Sequence, residues 1–248
     1  MDPTERAELN ARLELLSDWL YLGCRRARAE PEFQMPPSPE SAPRKRRGPE
    51  WMEDPSYYAE TLENIQNEVL RCAKCRLAQN RTYTAFGEGV LNPPVLVVGE
   101  GPGAEEDKLG RPFVGPAGKL LDRMLAAVNL DREKNCYITN IVKCRPPMNR
   151  DPAPDERETC LPYLERQIRF LRPRVILALG RTAAQTLLKT ERGVGALRGA
   201  FLDRDGLPLL VTYHPSAILR DESLKRPAWE DLKKLRAFLD TLDAGSSE

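Results

Sequence analysis

Apolar and polar positions along this chain follow two periods, and the switches between them mark its elements. Val95-Leu96-Val97-Val98 and Val175-Ile176-Leu177-Ala178-Leu179 are short unbroken apolar runs, closed by Gly99 and Gly180. Runs of this kind suit strands of a parallel sheet covered on both faces. Further strands are predicted over 136–141 and 209–213. Apolar residues recur at helical spacing over 116–128, 155–171 and 181–189; a helix over 57–71 precedes the first strand and an amphipathic one over 228–242 follows the last. Strand and helix alternate throughout, which predicts an α/β three-layer sandwich with a mainly parallel central sheet.

The N-terminal quarter reads differently. Residues 5–29 have the spacing of an amphipathic helix, and 31–55 are proline-rich with a basic run, Arg44-Lys45-Arg46-Arg47. The chain therefore divides into an extension over 1–55, a helix and a flexible linker, and a domain over 56–248. The basic run reads either as solvated charge or as a tether touching DNA phosphate non-specifically. With 248 residues and a formal net charge of +1, the protein has no global basic field, so any nucleic-acid contact must be local. No apolar run approaches the ~20 residues of a membrane span. The first residues lack the basic-then-apolar layout of a signal peptide, and a cytoplasmic location is expected.

Polar groups stand at the ends of three predicted strands. The first runs into Gly99-Glu100-Gly101-Pro102-Gly103, the second delivers Asn140, and the last delivers His214-Pro215-Ser216. Ligands of open α/β sheets bind at the carboxyl ends of strands. A carboxylate, an amide and an imidazole facing one crevice form a set able to read and polarise a small heterocycle. Each alone has a plainer use: a tight turn, a turn cap, a core histidine. The glycine turn is not a nucleotide-binding P-loop, since it lacks the Gly-Lys-Ser/Thr ending.

Six cysteines and a single histidine, His214, make mixed Cys/His zinc sites nearly impossible. Cys72-x2-Cys75 followed by Cys144-x15-Cys160 can close a tetrahedral site, for which structural zinc and a [4Fe–4S] cluster both remain open. Cys24 and Cys136 fall in apolar segments and read as buried bystanders.

These stretches resemble family 4 of the uracil-DNA glycosylase superfamily, its iron–sulfur class. The likeness rests on Cys72-Ala-Lys-Cys75, Gly99-Glu-Gly-Pro-Gly103 with Glu106-Asp107, and Gly110-Arg-Pro-Phe-Val-Gly115. It continues through Thr139-Asn140-Ile-Val-Lys-Cys144-Arg-Pro-Pro-Met-Asn149-Arg150, Cys160, Leu179-Gly180 and Tyr213-His214-Pro215-Ser216-Ala-Ile-Leu219-Arg220, in order over about residues 60–240. The resemblance implies a four-stranded parallel sheet and a structural [4Fe–4S] cluster on Cys72, Cys75, Cys144 and Cys160. It further implies an enzyme of base-excision repair that hydrolyses the N-glycosidic bond of uracil flipped out of single- or double-stranded DNA; nothing in the sequence suggests more than a monomer.

Residue by residue, it implies that Phe113 stacks on the base and that the Asn140 amide matches the edge of uracil and not that of cytosine. His214 would donate to uracil O2 as charge develops there. Many superfamily members carry an aspartate where this chain has Gly101, so Glu100 is the carboxylate left in the turn to activate water or to stabilise the sugar cation. Gly101 and Gly103 would let the backbone approach the base or the water, with Glu106 lining the pocket. Leu219 or Ile218 would fill the space left by the flipped base, and Ser216 and Arg220 would contact phosphate. A covalent uracil-trapping reaction needs a second histidine, which is absent. A non-catalytic iron–sulfur DNA-binding module is the alternative, and it leaves the Glu100, Asn140 and His214 triplet without work. A zinc-dependent nucleotide-binding protein is a third reading, separable by colour.

Overall fold

The computed structural model describes residues 61–244. The readings of the N-terminal helix, the basic linker and their boundary near residue 55 lie outside the described residues.

The element order is α1 (Leu62–Leu70), β1 (Glu88–Gly89), β2 (Val95–Gly99), α2 (Ala104–Leu109), α3 (Pro116–Ala126) and β3 (Cys136–Asn140). There follow α4 (Pro154–Leu171), β4 (Val175–Leu179), α5 (Gly180–Leu188), α6 (Val194–Leu197), β5 (Phe201–Arg204), β6 (Leu207–Thr212), α7 (Pro215–Arg220) and α8 (Lys225–Ala244). The sheet has six strands in the order β1-β3-β2-β4-β6-β5. Its four central strands are parallel, as the family likeness implies. Two short antiparallel edge strands, β1 on β3 and β5 on β6, were not expected. Glu88–Gly89 is too short and Phe201–Arg204 too polar to carry a buried-strand signature.

Residues alternate between the faces of the sheet, and each face has its own core. Val95, Val97, Ile138, Leu177 and Leu210 pack against Leu121 and Met124 of α3 and Leu232 and Leu235 of α8. Leu96, Val98, Tyr137, Ile176 and Val211 pack on the other face against Leu164 and Ile168 of α4 and Ala183 and Leu187 of α5. Both faces being covered explains why β2 and β4 read as unbroken apolar runs. Helix α1 joins a smaller cluster in which its Ile65 and Val69 meet Phe86 and Tyr163.

Register places the site. Gly99 pairs with Asn140 across β2 and β3, Val98 with Ala178 across β2 and β4, and Leu179 with Thr212 across β4 and β6. The carboxyl ends of the parallel strands are therefore level, and Glu100, Asn140, Gly180 and Tyr213-His214 emerge along one edge.

Candidate active site

One cavity of about 870 Å³ opens at that edge, and Glu100, Gly101, Gly103, Glu106, Phe113, Asn140, Gly180, Tyr213, His214, Ser216 and Arg220 are among its lining. The carboxylate, amide and imidazole expected to converge do so.

Asn140 ends β3 and is 1% exposed, and its Oδ1 is a buried acceptor with no hydrogen-bond partner. An unpaired buried acceptor costs roughly 1–3 kcal/mol in a finished structure. Gly99 lies beneath it: a Cβ there would stand 2.4 Å from Asn140 Oδ1 and 2.4 Å from Phe113 Cζ. The absent side chain at Gly99 is what admits both groups.

Phe113 is buried and holds a left-handed backbone at φ 53°, a conformation a bulky residue adopts only when its surroundings enforce it. Arg132 supplies part of that enforcement, donating to Pro112 O at 3.1 Å and Phe113 O at 2.9 Å while paired with Glu88 and Asp122. Gly118, in the first turns of α3, supplies another part, since a Cβ there would stand 2.0 Å from the Phe113 carbonyl oxygen. The Phe113 ring lies 5.6 Å from the His214 ring, centroid to centroid.

His214 caps the N-terminus of α7, and its Nδ1 accepts the Ser216 backbone N–H at 3.1 Å. The Ser216 hydroxyl is 2.8 Å from the same nitrogen. With Nδ1 an acceptor, the neutral ring carries its proton on Nε2. Burial, aided by Arg220, lowers the His214 pKa to about 4, so the ring is neutral at pH 7. A Cβ at Gly180, whose φ is +83°, would stand 2.8 Å from His214 Cβ.

Glu100 follows β2. Burial raises its pKa above the ordinary carboxylate range, opposed by a hydrogen bond from Thr182 Oγ1 to Oε2 at 2.5 Å. Thr182, in the first turn of α5, is 4% exposed. Nothing in the sequence marks it, because a threonine near a helix start has an ordinary explanation.

Several expectations need correction. Glu106 lines the cavity but acts as a brace: its carboxylate accepts the N–H groups of Gly103 at 3.1 Å and of Val114 and Gly115 at 2.8 Å each. It ties the glycine turn to the segment carrying Phe113. Gly101 and Gly103 line the cavity, and their missing side chains make room for protein, since a Cβ would meet Val142 Cγ2 at 2.7 Å and Glu106 Oε2 at 2.8 Å respectively. The Ser216 hydroxyl is turned to the imidazole, and an O–H donating there has no second proton for phosphate. The segment after His214 is a helix, with Pro215 at its first position pre-set for helical φ. That helix separates the two wedge candidates: Ile218 is fully buried in the core, while Leu219 is 49% exposed. Arg220 is exposed beside the cavity mouth.

The four cysteines expected to act together lie around two adjoining clusters of the core. Cys75, Cys144 and Cys160 pack in the cluster that covers one face of the sheet, and Cys72 and Cys160 border the smaller cluster around α1. Cys136 is buried apart from them in β3, and burial raises its pKa to about 12. The quartet has cationic surroundings. Arg81 Nη1 donates to Cys144 Sγ at 3.1 Å; Lys143, the residue before Cys144, is buried, and burial lowers its pKa to about 7. Among the described residues no three Cys, His, Asp or Glu side chains are gathered so as to hold a metal ion. Four thiols and no imidazole, under positive charge, match the donor chemistry of an anionic iron–sulfur cluster.

Comparison with known proteins places the chain in a family. The sequence model described as "Uracil DNA glycosylase superfamily" matches residues 86–233. A type-4 uracil-DNA glycosylase of Thermotoga maritima is 43% identical over 184 residues, covering 73% of this chain and 95% of that protein. One of Sulfurisphaera tokodaii is 42% identical over 187 residues, covering 71% and 84%. One of Archaeoglobus fulgidus is 43% identical over 184 residues, covering 71% and 92%. With a level row of strand ends delivering a carboxylate, an amide and an imidazole to one cavity, this chain belongs to the type-4 uracil-DNA glycosylases of the uracil-DNA glycosylase superfamily.

Proposed function

We propose that this chain is a monomeric hydrolase of DNA repair that cleaves the N-glycosidic bond of uracil flipped out of single- or double-stranded DNA, leaving an abasic site. The observation that carries the reading is the orphaned Asn140 Oδ1, a buried acceptor facing a cavity shared with Phe113 and His214. Uracil N3–H completes that acceptor, and the Asn140 NH2 donates to O4. Cytosine offers an acceptor at N3 and a donor at N4, so it leaves buried groups unpaired at about 1–3 kcal/mol each.

As the C1′–N1 bond breaks, its electron pair goes to the base and charge gathers on O2. His214 Nε2–H donates to that oxygen; being neutral, the ring stabilises the charge without first delivering a proton. Glu100, ionised, takes a proton from the water whose oxygen bonds to C1′. Phe113 stacks on the base, a contact worth roughly 1–3 kcal/mol. Leu219, exposed on α7, fills the vacated stack in duplex DNA, and Arg220 meets phosphate.

Cys72, Cys75, Cys144 and Cys160 would hold a [4Fe–4S] cluster, whose contribution is structural: it pins α1, the segment after β3 and α4 to one another. No helix among the described residues is long and apolar enough to cross a membrane. A module that only binds DNA has no use for an orphaned amide oxygen beside a neutral Nε2–H donor.

The test is incubation of the purified full chain with uracil-containing single- and double-stranded oligonucleotides, read as alkali-labile strand breaks alongside a visible absorption spectrum. Cleavage at uracil by a brown protein is expected. A protein with its cluster intact that leaves every uracil substrate whole refutes the proposal.

A further inference from the structure

The turn between β3 and α4 carries a residue that neither folding nor the chemistry above accounts for. Met148 is 92% exposed, the most exposed of the large apolar side chains among the described residues. Its backbone is left-handed, at φ 54° and ψ 22°, and Asn149 after it also has φ 54°. The Arg150 N–H closes the turn on Pro147 O at 3.2 Å, the pattern of a tight turn with two left-handed central residues. Glycine and asparagine take that conformation readily, whereas a long apolar side chain gains nothing locally from it. Methionine at this place strains the backbone and returns no burial.

The turn is nevertheless held firmly. Arg145 Nε donates to Asn149 Oδ1 at 2.8 Å, and the Asn149 N–H to Pro146 O at 3.0 Å. Arg150 forks onto the Glu156 carboxylate at 2.8 and 2.6 Å and donates to Asp151 O at 2.9 Å. Glu156, whose side chain is fully buried, also accepts the Ala153 N–H at 2.7 Å and Arg76 Nε at 2.7 Å. Strain kept in place by so many bonds is characteristic of surfaces that meet a ligand. The position says which ligand. Pro146, Asn149 and Arg150 line the cavity, as do Ser216, Ala217 and Arg220 of α7. Met148 therefore stands at the rim of the cavity that takes the base, on a different element from Leu219.

We propose that Met148 is a second DNA-contacting side chain: its thioether lies against the face of the base next to the extruded uracil on the same strand. The inference rests on the cavity as the uracil site. Every base has a π-face, and sulfur packs on an aromatic ring without needing a hydrogen bond, so the contact requires a neighbouring base and accepts any of the four. It differs from the contact of Leu219, which fills a gap that only a duplex has. A neighbour on the same strand is present in single-stranded and duplex DNA alike.

The test is single-turnover excision by the full chain on single-stranded and duplex oligonucleotides with one uracil, whose 5′ or 3′ neighbour is either a normal nucleotide or an abasic analogue. Met148→Ala is expected to raise the half-saturating enzyme concentration about two- to tenfold on both kinds of DNA, the range of sulfur–aromatic contacts. The loss should fall on binding and not on the maximal rate. Removing the neighbouring base on the contacted side should weaken the wild type as much, and should leave wild type and Met148→Ala alike. Met148→Gly suits the left-handed turn, so it should melt no lower than the wild type while binding as weakly as Met148→Ala. Equal half-saturation for wild type and Met148→Ala overturns the proposal, as does a loss that persists whichever neighbouring base is removed. A loss confined to duplex DNA overturns the same-strand contact, and a lower melting temperature in Met148→Gly would show that the methionine serves the fold. Should the wild type leave every uracil substrate whole, it is the reading of the site that fails.

Discussion

Gly99→Ala is a small substitution with a large expected effect on catalysis. The added methyl would stand 2.4 Å from Asn140 Oδ1 and 2.4 Å from Phe113 Cζ, contacts that real Cβ atoms do not make. Gly99 ends β2, paired with Asn140 in register and accepting the Ile141 N–H at 2.9 Å, so the backbone has little freedom to retreat. The side chains must yield. Overpacking of this kind costs roughly 1–3 kcal/mol. Both obstructed groups face the cavity and can move into it, so the cost falls on base binding more than on the folded state. The expected outcome is a kcat/KM for uracil excision lowered about 5- to 150-fold, the kinetic equivalent of that range. The melting temperature should fall by only a few degrees. The assay is excision from a uracil-containing oligonucleotide under single-turnover conditions, run beside thermal unfolding of both proteins. Gly99→Ala with wild-type kcat/KM and a markedly lowered melting temperature would show that strain is stored in the strand, and would refute Asn140 and Phe113 as the pair that grips the base.

Other perturbations separate the remaining roles. His214→Ala should lower kcat about 10²–10³-fold, as loss of an oxyanion donor does, while binding of uracil-containing DNA weakens far less; equal losses in rate and binding would contradict transition-state stabilisation. Because His214 has a pKa lowered to about 4, no limb of the pH–rate profile near neutrality belongs to it. The acid limb belongs to Glu100, which must be ionised: activity rises as pH climbs through a pKa held above the ordinary range by burial. The Thr182 hydroxyl favours the ionised carboxylate, so Thr182→Val should shift that limb to higher pH and Thr182→Ser should restore it; an unmoved limb in Thr182→Val would remove Thr182 from the mechanism. Leu219→Ala should cost roughly tenfold on duplex substrate, from about 1.5 kcal/mol of lost apolar burial. It should cost little on single strands, and equal losses on both would exclude a wedge.

Much of this fold was legible in the sequence because its central strands are covered on both faces. That covering makes β2 and β4 unbroken apolar runs, and their terminal glycines announced where the strands end. Edge strands carry no such signature: Glu88–Gly89 is defined by its pairing with Ile138 and Tyr137 and by nothing in its own composition. The candidate site was legible where it lies at strand ends, at Glu100, Asn140 and His214. It was obscure where residues act through others. Glu106 looked like a pocket residue, and only its contacts with three backbone N–H groups make it a brace. Ser216 looked like a phosphate ligand, and only its proximity to Nδ1 makes it the group that helps set the His214 tautomer. Lys143 stood in plain view beside Cys144, but nothing in its sequence neighbours announced that its side chain is fully buried.

The direct test of the central claim is the ratio of single-turnover excision rates on uracil and on cytosine in otherwise identical oligonucleotides, for the wild type and for Asn140→Asp. If one extruded pyrimidine is read by the Asn140 amide, the wild type strongly prefers uracil, and Asn140→Asp loses much of that preference through slower uracil release. A ratio that Asn140→Asp leaves unchanged would mean the amide at the end of β3 does not read the base.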